Sequence, residues 1–291
     1  MKKLRGSQIF DSFNVIFMLF IIFVTAYPIY YVVIASFSDP GALSRYTGIL
    51  LAPLKPYTLS AYKMVFKNTL IISGFRNTLF VLVMGLVVNM VMTVLGAYFL
   101  VVKGPILRTP ITFMIIFTMY FSGGMVPAYL NVKDLGLLNT LWALVIPGAI
   151  NTTNLIILKS AFQSIPDSLT ESAKLEGASY MQVMTRIMVP LSKATLAVLV
   201  LYYAVGHWNA WFSASIYLRS SELYPLQLVM RNILETTTQS MLDGVGMDEA
   251  SQVANLIKYA LIVVTTVPIM VLYPFLQKYF VKGVMVGAIK G

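Results

Sequence analysis

The residues best placed to act on another molecule gather in one polar stretch, Lys159 to Lys193, reading KSAFQSIPDSLTESAKLEGASYMQVMTRIMVPLSK. The chemistry it offers is docking rather than catalysis. Ser168-Leu-Thr-Glu171 has the S-x-x-E spacing of a capping box, and Ser179-Tyr-Met-Gln182 repeats it in S-x-x-Q form. Gly177 lies between them, where a residue in the left-handed region would stop the first helix. Pro190 limits the second, because proline disfavours helical geometry in the residue before it. The spacing therefore predicts two short helices joined by a glycine turn. Tyr180, Val183, Met184, Ile187 and Met188 form one apolar stripe on the second, with Gln182, Thr185 and Arg186 opposite. A rigid knob with a carboxylate at Glu171 and an apolar face suits a protein partner.

A second set of polar residues interrupts long apolar runs. Asn89, Ser122-Gly123-Gly124 with Pro127, Pro147-Gly148, Asn151 and Asn154, and the group His207, Trp208, Asn209 and Trp211 all belong to it. Polar groups at membrane depth face a bundle interior, a cavity or another subunit. An aromatic beside an amide offers a sugar a stacking face and a polar handle. Asn89, Asn151, His207, Trp208, Asn209 and Trp211 are therefore candidates to line a solute path. The ordinary role of such an Asn is an interhelical hydrogen bond, of a Pro-Gly break a kink, and of an outer Trp an interfacial belt.

Several kinds of chemistry are excluded. Cysteine is absent and His207 is the single histidine, so a thiolate site or a histidine metal cluster has no ligands. There is no G-x4-G-K-[ST] phosphate loop and no nucleophile elbow. The eleven carboxylates fall in loops or at the ends of apolar runs, which leaves no intramembrane acid for a proton relay.

The elements that must position these residues follow from composition. Hydrophobic residues make up 58% of the 291 and charged residues 11%, against about 25% charged in a soluble domain. A chain this apolar is an all-α integral membrane protein crossing the bilayer several times. Six spans are predicted, near Phe13–Ser36, Asn77–Leu100, Ile111–Tyr129, Leu138–Leu158, Leu191–Tyr217 and Leu256–Phe275. The first is too long for a signal-peptide core and is read as a retained helix. With the N-terminus inside, the inner segments 1–12, 101–109, 159–193 and 276–291 hold more than half of the 21 Lys and Arg residues on the shorter share of loop. That bias gives N-in, C-in and places the hairpin in the cytoplasm. The net charge of +10 reads as orientation and anionic-lipid contact, not nucleic acid.

The outer loop Ser38–Arg76 has a turn signal at Asp39-Pro40-Gly41, and its second half reads as an interfacial amphipathic helix with Tyr57, Tyr62, Phe66, Lys63 and Lys67. It and the loop Leu218–Asn255 either touch an external partner or pack on the protein's own outer surface. The chain divides into 1–76 (tail, first helix and outer loop), 77–280 (a transmembrane domain carrying hairpin 159–193) and a cytoplasmic tail, 281–291.

Glu171-Ser172-Ala173, three residues, Gly177, nine residues, Ile187, one residue and Val189-Pro190 resemble the "EAA" loop of ABC-importer permeases, E-A-A-x3-G-x9-I-x-L-P. Ser172 for the middle Ala and Val189 for Leu are the departures, both small. The ending VKGVMVGAIKG resembles tails of carbohydrate-importer permeases of the maltose-transporter second-subunit type, in the branch often labelled LplC or YtcP. The resemblance implies a type I ABC importer permease fold in a bacterial cell membrane. It implies half of a translocation path for an oligosaccharide or sugar-like solute, the other half coming from a related permease chain. Two ATPase subunits, carrying the ATP and magnesium that this chain does not bind, and an extracytoplasmic solute-binding protein complete the assembly. Glu171, Ser172, Ala173, Gly177, Ile187 and Pro190 would couple to the ATPase, and the tail with Gly283, Gly287, Lys290 and Gly291 would enter the ATPase interface. The competing readings are a permease for a non-sugar solute, a self-contained secondary transporter, which lacks its ion-coupling acids here, and a non-transporting scaffold.

Overall fold

The computed structural model describes residues 5–104, 107–242 and 256–271. Among them there are helices and connecting segments and no strands. In chain order the helices are α1 (Arg5–Ser36), α2 (Pro40–Arg45), α3 (Ser60–Lys67), α4 (Thr69–Val101), α5 (Arg108–Tyr120), α6 (Met125–Asp134), α7 (Thr152–Gln163), α8 (Asp167–Leu175), α9 (Tyr180–Val183), α10 (Val189–Leu191), α11 (Lys193–Trp208), α12 (Trp211–Tyr217) and α13 (Leu226–Leu242). A further apolar helix, α14, runs Leu256–Val271. The C-terminal residues Gly283, Gly287, Lys290 and Gly291 lie outside the described residues.

The chain forms two compact units. Of the described residues, the first comprises 5–69, 230–242 and 256–267. Asp39 ends α1's exit turn and starts α2: its carboxylate accepts the Ala42 N–H at 2.9 Å with Pro40 in the first turn. Tyr27 accepts the Leu50 N–H at 3.1 Å, and the Ser36 and Tyr62 hydroxyls lie 2.7 Å apart, so the loop folds back on α1. The predicted amphipathic helix is present as α3, with Ala61 and Val65 buried and Lys63, Phe66 and Lys67 exposed.

The second unit comprises Leu70–Val229 and, of the described residues beyond, 268–271. Its axis is α4, and its main core joins Ala97, Tyr98 and Leu100 of α4 to Leu155, Leu158 and Phe162 of α7, Leu199 of α11, and Val183, Met184 and Met188. Loop 218–226 is sewn to the start of α4, where Asn77 Nδ2 donates to Glu222 O at 2.7 Å and Thr78 Oγ1 accepts the Leu226 N–H at 2.9 Å.

Only two of the described helices are long and apolar enough to cross a membrane unaided, Phe10–Ser36 and Thr69–Val101. A third candidate is the pair Tyr180–Leu191 and Lys193–Trp208, bent by 83°. The predicted third stretch is split: α5 stops at Tyr120, Gly124 takes φ +91°, and α6 begins at Met125. The predicted fourth, Leu138–Leu158, is α-helical only from Thr152, after a 3-10 turn at Leu141–Leu144 and a non-helical passage through Pro147-Gly148. Pro147 has no N–H for a helical ladder, and side chains of neighbouring helices satisfy part of the backbone of this passage instead.

Candidate functional site

The hairpin predicted from Ser168 to Pro190 forms as α8, a glycine turn and α9. Gly177 has φ +86°, the left-handed region that an L side chain resists. Around it the Gly177 N–H donates to Lys174 O at 3.0 Å and the Ala178 N–H to Ala173 O at 2.9 Å. These are the two bonds of a Schellman closure, and they satisfy carbonyls that the end of α8 leaves free. Ala173 and Ala178, brought together by the second bond, pack on the core.

The second capping box is complete. Ser179 Oγ accepts the Gln182 N–H at 3.3 Å, and Gln182 Oε1 accepts the Ser179 N–H at 2.8 Å. The first is absent. Helix α8 already starts at Asp167, so Ser168 sits inside the first turn, and Pro166 occupies the cap position without a side-chain bond. A cap needs non-helical backbone, and Ser168 does not have it. Asp167 instead meets Lys103 Nζ at 2.6 Å, tying the segment after α4 to the hairpin. That hydrogen bond, with the Asp167 charge behind it, holds the Lys103 ammonium above its ordinary pKa.

Pro190 does not end the second helix. Met184–Met188 form a π turn, with the Val189 N–H reaching back to Met184 O, and the helix runs on to Leu191. A proline ring presses on the carbonyl four residues earlier, and the wider turn accommodates it. The chain then bends by 83° at Ser192 into α11. The predicted apolar stripe is divided accordingly. Val183, Met184 and Met188 are buried and Ile187 is half-buried, but Tyr180, the first helical residue, stands at the tip beyond the core. Its ring carries Lys174 Nζ at 4.7 Å. The outward surface is mixed: Leu175 is 90% exposed, Leu169, Tyr180 and Met181 are exposed with it, and Asp167, Glu171, Ser172, Lys174 and Glu176 are exposed among them.

The intramembrane candidates fall into one network and a separate group. Asn89 is fully buried and its Nδ2 donates to Gly148 O at 2.6 Å and Ala149 O at 3.0 Å. Its Oδ1 lies 2.6 Å from His207 Nε2. Because the two carbonyls fix which end of the amide is the donor, His207 Nε2 carries the proton. Asn151 caps α7, its Oδ1 accepting the Asn154 N–H at 3.0 Å, while its own N–H donates to the Tyr203 hydroxyl at 3.1 Å. That hydroxyl lies 2.7 Å from Thr93 Oγ1. The sequence reading missed Tyr203, Thr93 and Gly85. Their signal was spacing: Gly85, Asn89 and Thr93 share one face of a helix, as do Tyr203 and His207.

The other group follows α11. Trp208 is 3% exposed and T-shaped to Phe75 at 5.9 Å. Trp211 is half-buried and T-shaped to Phe212 at 5.5 Å. Asn209 is exposed, its Nδ2 donating to Val205 O at 3.0 Å. A groove of about 680 Å³ between α5 and α7, lined by Phe113, Met114, Phe117, Thr118 and Ile150 among others, is almost wholly apolar and has too few donors to read a sugar.

Residues 92–286, most of the chain and all of the hairpin, match the family model described as binding-protein-dependent transport system inner membrane component. The chain belongs to this family. Similarity extends beyond that segment. The chain is 40% identical to Protein LplC of Bacillus subtilis (strain 168) over all of its own length and 98% of that protein. It is 39% identical to the polygalacturonan/rhamnogalacturonan transport system permease protein YtcP of the same organism, over 98% and 99% of the two chains. Among solved structures, a chain of a bacterial ABC transporter involved in the import of the acidic polysaccharide alginate superposes with a TM-score of 0.86 at 31% identity, over 96% of this chain and 99% of that one. As a member of the family this chain is the permease component of an ABC importer. ATP hydrolysis belongs to a separate subunit, so the chain is a transport subunit and not an enzyme.

Proposed function

We propose that this chain forms half of the membrane path of an oligosaccharide importer and takes its power stroke through the hairpin at Glu171–Pro190. The observation carrying this is the hairpin itself: a Schellman turn at Gly177 that buries one face on α4 and α7 and leaves Leu169, Leu175, Tyr180 and Met181 outward. In this reading the chain crosses a bacterial cell membrane six times with both termini inside, two crossings being made of broken helices. A second, related permease chain supplies the other half of the path, and an extracytoplasmic binding protein delivers the solute. Two ATPase subunits, holding Mg-ATP, receive the hairpins. Glu171 makes polar contacts in the ATPase groove, the small Ser172 and Ala173 and the turn residue Gly177 shape the knob, and Ile187 and Pro190 seat it on the membrane helices. The tail with Gly283, Gly287, Lys290 and Gly291 reaches the ATPase interface. Asn209 and Trp211 are the residues nearest to contacting solute, while Asn89, Asn151, His207 and Trp208 shape the path from behind.

The solute class is supported by two similar proteins, one of a polygalacturonan/rhamnogalacturonan transport system, the other of a transporter involved in alginate import. Oligosaccharides cut from these polymers are the first probes. In cells holding the whole importer, Glu171→Lys and Leu175→Glu are expected to leave the chain in the membrane at normal abundance and abolish uptake of labelled oligogalacturonate or oligoalginate. They are also expected to lose co-purification of the ATPase. Normal uptake by both variants would refute the docking role. An intact ATPase complex importing neither probe would move the solute assignment elsewhere.

A further inference from the structure

Two polar pairs join α4 to α11 in antiparallel register, one turn apart on each helix. Asn89 meets His207 at 2.6 Å, and Thr93 meets Tyr203 at 2.7 Å. Each pair also grips the same non-helical passage. Asn89 donates to Gly148 O and Ala149 O, and Tyr203 accepts the Asn151 N–H. Asn89 and Thr93 are fully buried, and Tyr203 is 6% exposed. One turn before Asn89, Gly85 leaves the space into which the imidazole fits, since a Cβ there would lie 2.3 Å from His207 Nε2. At its other end α11 continues, through the bend at Ser192, into the hairpin.

We infer that this ladder is the transmission between the hairpin and the passage 145–151, so that α11 and the passage change position together when the hairpin moves. The reasoning is physical. The passage lacks a helical ladder of its own, and three of its backbone polar groups are satisfied by side chains of α4 and α11. A movement of α11 acts on the Asn151 N–H bond directly, through Tyr203, and on the bonds to Gly148 O and Ala149 O through His207 and the amide of Asn89. Whether these bonds follow α11 or break, the side-chain hold on the passage changes with it. Asn89, Thr93, Tyr203 and His207 are thus positioning residues, acting on the path through the 145–151 backbone. The inference rests on the importer reading above, because the hairpin must be driven by a nucleotide-powered partner.

The natural absence of cysteine makes the test direct. Ile150→Cys is introduced into the complete importer in lipid nanodiscs, and its rate of maleimide labelling is compared without nucleotide and with Mg-ATP and vanadate. ATP hydrolysis is measured on the same preparations before vanadate is added. With the ladder intact, the two labelling rates are expected to differ about tenfold, the scale of an ordinary coupling energy. Tyr203→Phe, which removes one hydroxyl and keeps the ring, and His207→Ala are each expected to bring that ratio toward one while ATP hydrolysis continues. In the His207 series, His207→Gln, able to donate to Asn89 again, is expected to restore part of the ratio. An unchanged ratio in both Tyr203→Phe and His207→Ala would overturn the transmission role, as would a ratio near one with the ladder intact. Should His207→Ala not assemble, Tyr203→Phe alone decides. An assembled complex that hydrolyses no ATP with the ladder intact would overturn the importer reading and this inference with it.

Discussion

The backbone N–H of Ala178 donates to the carbonyl of Ala173 at 2.9 Å, closing a ring of chain around Gly177. Nothing lies within 4 Å of where a Cβ on Gly177 would stand. The demand on that position is therefore conformational, not steric.

Gly177→Ala is accordingly expected to strain the turn by about 1–2 kcal/mol, the cost of left-handed backbone for an L residue. Gly177→Asn should be milder, because Asn tolerates this region. Uptake and ATP hydrolysis measured for both variants should fall in the order Gly, Asn, Ala. Equal activity of the Ala variant would mean that the turn relaxes without consequence for docking.

The complete capping box at Ser179 and Gln182 makes a separate prediction. Ser179→Ala removes the acceptor for the Gln182 N–H and should weaken the start of α9 by about 1 kcal/mol. Hydrogen exchange at the Gln182 and Val183 amides, both bonded to Ser179, should rise roughly fivefold, the equivalent of that energy. Exchange in α7 should stay unchanged.

The Lys103–Asp167 pair is exposed on both sides, at 71% and 67%, and Lys103→Met is expected to shift the thermal midpoint negligibly. Its pH dependence has a definite sign. The Lys103 pKa is raised above 10.5 in the folded chain, so the lysine's contribution is complete below that unfolded value and is lost as pH rises through the folded one. Between pH 6 and pH 9 the Lys103 charge is constant. A pH-dependent change in uptake over that window that vanishes in Lys103→Met would contradict this.

Gly85 and His207 should behave as one unit. Gly85→Ala alone places a Cβ 2.3 Å from the imidazole and must displace it, at about 1–3 kcal/mol for overpacking. In a His207→Ala background the three nearest atoms that this Cβ would meet are gone. Thermal midpoints of the two single variants and the double should therefore be non-additive, with the double closer to His207→Ala than the sum of the two effects. Additivity would place the ring elsewhere.

What could be read from the residues alone was local. Gly177 as the turn and Ser179–Gln182 as a capped start follow from chemistry within a few positions, and both are present. Ser168 failed on the same rule because Pro166, two residues earlier, takes the cap position and begins the helix first. The apolar runs are visible by composition, and their interruptions at Ser122-Gly123-Gly124 and Pro147-Gly148 fall where the helices stop. What holds the non-helical course 145–151 is not local: Asn89 and Tyr203 lie far away in sequence. Asn89 and His207 were noticed as polar residues at depth. That they bond to each other depends on the register of two helices, which no window along the chain contains.

The bend at Ser192 has a mechanical consequence. It makes Tyr180–Leu191 and Lys193–Trp208 the two arms of a crank with its elbow at the hairpin end of the core. The long arm spans roughly 24 Å at the usual helical rise, so swivelling the elbow by about 5° sweeps its far tip by about 2 Å. That sweep is comparable to the length of a hydrogen bond. A small tug on the short arm is thus geared up to the distance over which Asn89 must either follow His207 or let it go.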